Sequence, residues 1–426
     1  MMPPDSPNKW RPYPTFRGWW IVGVGFTALY LNGAAMSYMF GILVLPMEED
    51  LGWSRATLLG ALMPATFVSA IVGSFIGPFI DRHGARVAMT ISALFSGAFM
   101  LMIPFINAPW QWYVIVGLGL GATRSALDNV GPRASIANWF IRRRAAAFAW
   151  FSGGRAVFGV TAVAPLALLV ERTSWRSGWF VVGTLELTIL APLVWTIIRR
   201  RPEDHGQLPD GDTPRPERSA AATAAGPEWT RAEAMRTPAF WLMVVGFIFA
   251  GFPASGVIAN MIPYFRDQGL SVGFASVAFS LFGAGALAGR PIWGFIGSRV
   301  SVHTGLMLYG LIYSASLASL VLGFNTPSLM AAAFFVGIPT GGAAQLQSQA
   351  WPDYYGRRSV GAITGVTTLM IMPAMASGPL VAALAFDALG SYNLVFSAFA
   401  VGTFISGVSF YLARRPSRSP VSNSSA

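Results

Sequence analysis

A chain of 426 residues that is 54% hydrophobic and only 11% charged has too little polar surface to cover a water-soluble particle, because soluble domains carry about 25% charged residues. With no cysteine and only three scattered histidines, His83, His205 and His303, it has no disulfide framework, no thiolate metal site and almost nothing from which to build a histidine-based zinc or catalytic centre. The net charge of +11 is spread over loops in a pattern that reads as membrane topology, so the basic runs do not point to nucleic acid, and no cofactor or metal is expected.

In chain order, Met1 to Pro14 is polar and proline-rich. It lacks the short apolar core and small-residue cleavage site of a secretory signal, so the first apolar run reads as a retained span. A bilayer crossing needs about 20 apolar residues. Twelve runs meet that need: 18–45, 55–79, 87–107, 112–138, 145–170, 178–198, 239–265, 273–297, 303–323, 328–351, 359–385 and 391–413. The predicted class is therefore an all-α membrane protein of twelve transmembrane helices. Residues 1–17 form an N-terminal tail, 18–198 a six-helix bundle, 199–237 a linker, 238–413 a second six-helix bundle and 414–426 a C-terminal tail. Ser54 before span 2 and Thr237-Pro238 before span 7 are helix-start signals. "TRAE", Thr230 to Glu233, is a capping-box pattern, which predicts a short interfacial helix in an otherwise flexible linker.

Charge sets the expected orientation. With the N-terminus inside, the inner segments hold 21 Lys and Arg, among them Lys9, Arg142, Arg143, Arg144, Arg357 and Arg358, against 4 outside, Arg55, Arg172, Arg176 and Arg266. Both termini are then cytoplasmic and the chain is a multi-pass protein of the inner or plasma membrane. The two halves also repeat in the same direction. "GPFIDRHGAR" (Gly77 to Arg86) follows span 2 as "GFIGSR" (Gly294 to Arg299) follows span 8. "NWFIRRR" (Asn138 to Arg144) follows span 4 as "DYYGRR" (Asp353 to Arg358) follows span 10. Parallel six-span repeats are a transporter signature.

Four arginines lie within spans, Arg124, Arg133, Arg155 and Arg290, together with two deep acids, Asp128 and Glu186. A charge at mid-span costs at least about 2.5–3.5 kcal/mol, so such residues face a cavity or a partner. Arg124 and Asp128 are four residues apart and share a helix face. Spans 4 and 5 turn back near Ile141, which puts Asp128 and Arg155 at equal depth, about 20 Å along their helices. An Arg124–Asp128–Arg155 cluster is predicted. Asp128–Arg155 reads as a structural pair pinning two helices, and Arg124 is left as available to a cavity. Arg290 sits in "GAGALAGRPIWG", Gly283 to Gly294. It either snorkels to the inner surface or, with Pro291 and the small face Gly283, Gly285 and Gly289 around it, binds an anion. A guanidinium suits the second task because its planar fork meets a carboxylate with two parallel hydrogen bonds.

"GPFIDRHGAR" resembles the loop motif of the major facilitator superfamily, with Gly77, Asp81, Arg82, Gly84 and Arg86 in the expected places and Ala85 where a base is usual. "GWW" (Gly18 to Trp20), "DLGWSRA" before span 2, "NWFIRRRAAAFAWFSGG", "RTPAFW" before span 7 and "GRPIWG" in span 8 look like its oxalate/formate antiporter and monocarboxylate transporter branch. The resemblance implies two six-helix bundles that rock about a midplane site. It implies that Arg290 is the carboxylate-binding residue and that Asp81, Arg82 and Arg86 latch the inner gate; from the in-span charges, Arg124 or Arg155 is expected as a second cation. It also implies that spans 1, 4, 5, 7, 8, 10 and 11 line the cavity, which makes Asn32, Tyr38, Asn260, Tyr264, Gln345 and Thr367 candidate substrate contacts. Gln347, Gln349 and Thr368 are further polar residues there, whereas Met36, Met370 and Met372 read as packing. The branch's oxalate carriers have a lysine in span 11, and its animal members an acid one turn before the arginine and a lysine in span 1. This chain has no lysine beyond Lys9, and Ala286 at the acid's place. The match therefore carries neither a dicarboxylate nor the usual proton-coupling scheme.

The function expected is secondary transport of a small carboxylate, such as lactate, pyruvate or formate, with oxalate as a further candidate. Proton symport, through Glu186 or Asp128, and exchange against a counter-anion both stay open. A drug-type exporter of neutral or cationic solutes is the alternative, and a non-transporting sensor is the alternative of another class. No nucleophile–base pair supports an enzyme.

Overall fold

The computed structural model describes residues 16–33, 35–141, 143–205, 207–211, 229–323, 325–356 and 360–416. The predicted basic residues Lys9, Arg142, Arg357 and Arg358, and the side chains of Met36 and Asp81, lie outside the described residues. The protein is nearly all helix. Ten helices are long and apolar enough to cross a bilayer: Gly18–Leu51, Arg55–Ile80, Ala85–Phe105, Trp175–Ile197, Pro238–Asp267, Val272–Arg299, Val302–Val321, Thr326–Tyr355, Ile363–Leu389 and Asn393–Leu412. An eleventh is the pair Ala146–Thr161 and Val163–Arg172, bent by 44°. The helical run 109–139, which carries Arg124, Asp128 and Arg133, completes a set of twelve rods. They are called spans 1 to 12 in chain order.

Large apolar side chains face outward. Phe75, Phe105 and Leu322 are 73, 70 and 75% exposed, as expected where hydrocarbon is the solvent. Trp20, Trp110, Trp195 and Trp241 are exposed near span ends, the placement of interfacial anchors. The helix-start signals are built as the sequence suggests. Ser54 accepts from the Thr57 amide and Thr237 from the Phe240 amide. Thr230 and Glu233 form a capping box on Arg231–Met235.

The halves differ in regularity. Spans 7 to 12 run as continuous α-helices across their internal prolines. In the first half, π-helical segments occur at Leu29–Gly33 and Ala35–Met39 in span 1, Tyr113–Leu120 and Ser125–Asn129 in span 4, and Glu186–Leu190 in span 6. These segments carry Asn32, Asp128 and Glu186. Such bulges widen the helix by one residue per turn and gather at functional sites.

Small residues let helices touch backbone to backbone. A Cβ at Gly285 would meet the Phe334 carbonyl, and one at Gly289 the Ile338 carbonyl, both on span 10. Gly283 faces Gly159 and Val160 of span 5 across the two halves. Gly285→Val is expected to destabilise the protein by about 1–3 kcal/mol through overpacking, read as a lowered Tm in detergent. Gly77→Ala, where a new Cβ meets nothing within 4 Å, leaves Tm unchanged or higher.

The loop motif after span 2 is helical for most of its length, as Gly77 and Pro78 show. They stay inside the helix Leu62–His83 and form no tight turn. The turn is made at Gly84 alone, whose φ of 84° suits glycine. Arg82 is exposed. The Arg86 guanidinium lies 3.9 Å from the Trp195 ring centre on span 6, within its own half.

Candidate functional site

The halves meet along spans 1 and 7, 2 and 11, and 5 and 8. Between them lies a cavity of about 380 Å³. Its first-half wall is polar and positive, with Ser37, Thr66, Ser69, Arg124 and Arg155. Its second-half wall is largely apolar, with Ile258, Ile371, Met372 and Met375, relieved by Ser255, Gln347 and Thr368.

Arg124 Nε donates to Asp128 Oδ2 at 3.1 Å. Arg155 Nη2 is 3.7 Å from the same oxygen. The i, i+4 neighbour thus makes the shorter contact, although depth along the hairpin points to Arg155 as the partner. Asp128 is 3% exposed, and its Oδ1 has no hydrogen-bond partner. The arginine side chains are 20 and 36% exposed. Two guanidiniums share one carboxylate, so the group carries an excess positive charge beside the cavity.

Arg290 does not line this cavity. Its Nη1 donates to the Ala149 carbonyl at 3.0 Å and to Ser152 Oγ at 3.2 Å, and its Nη2 donates to the Ser152 carbonyl at 2.5 Å. It therefore ties span 8 to span 5 across the halves. Tyr38, 4% exposed, packs edge-on against Phe279 at 5.1 Å and touches Phe158 and Phe282. It forms an aromatic plug at the same seam and not a cavity wall.

Several polar candidates are spent elsewhere. Asn260 is fully buried. Its amide donates to the Gly256 and Pro379 carbonyls, and its oxygen accepts from the Tyr392 hydroxyl. Tyr264 donates to the Leu320 carbonyl at 2.9 Å. Thr367 bonds back to Ile363 of its own helix. Neighbouring residues take their places: Thr368 and Gln347 reach the cavity where Thr367 and Gln345 do not. Met372 lines the cavity, contrary to its reading as packing. Asn32 is also fully buried, bonded to Ser96 Oγ at 2.7 Å and Glu186 Oε1 at 3.1 Å.

One cluster escaped sequence reasoning. Arg55, read only as a residue of the arginine-poor end, has a side chain 7% exposed. It holds Asp267 with two nitrogens, at 2.7 and 3.3 Å, and Glu48 at 2.8 Å. Its guanidinium carbon sits 3.8 Å from the Phe386 ring centre. The adjacent Ala56 amide donates to Asp387 at 3.2 Å. Glu48 and Arg55 belong to the first half and Asp267, Phe386 and Asp387 to the second, so this end of the seam is latched shut. The available signal was an arginine directly after a helix cap on the side where arginines are scarce.

Two repeated six-helix halves around a central cavity are an architecture of membrane transporters. The Major Facilitator Superfamily model matches residues 25–268 and 243–426, and the chain belongs to that superfamily. It is 25% identical over 277 residues to the oxalate:formate antiporter of Oxalobacter formigenes, covering 63% of this chain and 60% of that protein's length. It is 24% identical over 410 residues to monocarboxylate transporter 4 of Rattus norvegicus, covering 89% and 80%. Its fold is similar to the crystal structure of a bacterial homologue of the human lysosomal transporter Spinster in an inward-facing and occupied conformation, with a TM-score of 0.71 and 15% identity over 95% of this chain and 97% of that one.

Proposed function

We propose that the protein moves small monocarboxylates by alternating access. The observation that carries this reading is the split cavity, with Arg124 and Arg155 on one wall and Ile371, Met372 and Met375 on the other. A carboxylate with an apolar body fits both walls, whereas a dicarboxylate leaves its second charge against a second-half lining that has no cation among the described residues. The named relatives, an oxalate:formate antiporter and a monocarboxylate transporter, carry carboxylates and support the same class.

The anion is received by Arg155 and Arg124. Arg290 is a second contact, made when spans 5 and 8 part. Its present acceptors at Ala149 and Ser152 are neutral, and a carboxylate makes hydrogen bonds roughly twice as strong. With the sidedness that the arginine distribution implies, the Arg55 latch closes the outer end and the cavity serves the cytoplasmic side. Asp81, Arg82 and Arg86 would take the matching role at the inner end in the opposite state.

Uptake into proteoliposomes of formate, lactate, oxalate and a cationic dye tests the class. Lactate or formate enters under this reading, and oxalate and the dye do not. Dye uptake without carboxylate uptake would replace it with the exporter reading. Arg290→Lys is expected to slow lactate uptake, because an ammonium cannot span the three acceptors that the planar fork does. Wild-type uptake in Arg290→Ala would remove Arg290 from the anion path and leave Arg124 and Arg155 alone.

A further inference from the structure

Glu186 is unused by the carboxylate site, yet it is buried beside it. The residue is 0% exposed on span 6. From span 1, Asn32 Nδ2 donates to its Oε1 at 3.1 Å and also to Ser96 Oγ of span 3 at 2.7 Å. Glu186 Oε2 and Asn32 Oδ1 are both buried without a partner. Both are acceptors, and a proton on Oε2 turns that atom into a donor. The side-chain amide both donates and accepts, so Asn32 suits either protonation state of the acid. Across span 1 from this pair lies Asp128 of span 4, held by Arg124 and, from span 5, Arg155. Gly33, next to Asn32 in the same π segment, closes the gap: a Cβ there would lie 3.2 Å from both Asp128 Oδ1 and Arg155 Nη2. The span 1 bulge therefore joins the acid to the cavity arginines.

We infer that Glu186, with Asn32, is a proton-binding site that couples proton entry to carboxylate entry. The inference rests on the carboxylate reading above and deepens it. Net charge in a low-dielectric interior is costly, so neutral compositions of Arg124, Arg155, Asp128 and Glu186 are favoured. Without substrate, Arg124 and Arg155 balance Asp128 and ionised Glu186. With a substrate carboxylate added, one of the two acids must take a proton, and it falls to Glu186, because Asp128 has Arg124 at 3.1 Å and Arg155 at 3.7 Å and Glu186 has no ion pair among the described residues. One proton therefore travels with one monocarboxylate.

The test uses proteoliposomes of wild-type and Glu186→Gln protein, the glutamine preserving the shape of the protonated acid. Lactate–lactate exchange without a pH gradient, and lactate accumulation under an inward proton gradient, are measured separately. Glu186→Gln is expected to retain exchange and to lose gradient-driven accumulation. Accumulation at the wild-type level overturns the proton site, and so does joint loss of exchange and accumulation, which makes Glu186 structural. Absence of exchange in the wild type overturns the carboxylate reading instead. Should Glu186→Gln not insert, a pH-sensitive dye inside wild-type liposomes decides: one proton per lactate is expected, and lactate entry with no proton overturns the inference.

Discussion

Replacing Arg155 by alanine will cut carboxylate transport steeply while the protein still inserts and folds. Losing one partner of a hydrogen-bonded charge pair costs about 2–5 kcal/mol, so substrate affinity falls roughly thirtyfold or more. The fold survives because Asp128 keeps the closer of its two arginines, Arg124 at 3.1 Å. Asp128→Ala is the contrasting variant. It leaves two guanidiniums beside the cavity with no carboxylate, and breaking a buried pair in this way destabilises by about 3–5 kcal/mol. Lactate uptake in proteoliposomes and thermal unfolding in detergent separate the two outcomes. Arg155→Ala lowers uptake with Tm nearly kept, and Asp128→Ala lowers both.

The second large effect is expected at Arg55. This guanidinium bridges Glu48 of one half and Asp267 of the other and lies over Phe386. Arg55→Ala removes these contacts at once. The carboxylates are partly solvated, 31 and 26% exposed, so the loss is set below the figure for a fully buried pair, at about 2 kcal/mol. That shifts the balance between the two gate states by about thirtyfold toward opening at the Arg55 end. The chain has no cysteine, so a single Ser255→Cys in the cavity wall reports access cleanly. An impermeant thiol reagent added outside should label it faster in the Arg55→Ala background. Equal labelling would show that the latch does not set the closed state.

The spans were legible because a bilayer demands long apolar runs, and the capping residues Ser54, Thr230 and Thr237 marked helix starts by chemistry that does not depend on tertiary context. Equal depth along the span 4–span 5 hairpin is enough to bring Asp128 and Arg155 together. What the sequence hid has physical causes. Which of two adjacent polar residues faces a cavity turns on one residue's rotation, about 100°, so Gln347 and Thr368 replace Gln345 and Thr367. Asn260 and Tyr264 carry no mark that their bonds are already filled by backbone carbonyls on neighbouring spans. The π segments at Asn32, Asp128 and Glu186 are set by packing between helices and not by local propensity. Arg290 was read through its glycines and proline. Those glycines serve close contact with spans 5 and 10, and the guanidinium reaches carbonyls 138 and 141 positions away in the chain.

The central claim, that the cavity beside Arg124 and Arg155 holds a carboxylate, is tested most directly by protection of a cysteine placed at Ser37, which lines it. Purified Ser37→Cys protein is reacted with a thiol reagent in the presence of lactate or of lactamide, its uncharged amide. The account predicts that lactate slows labelling, that lactamide does not, and that the protection disappears when Arg155→Ala is added. Equal protection by both compounds, or protection by lactate that survives loss of Arg155 and Arg124 together, would contradict it.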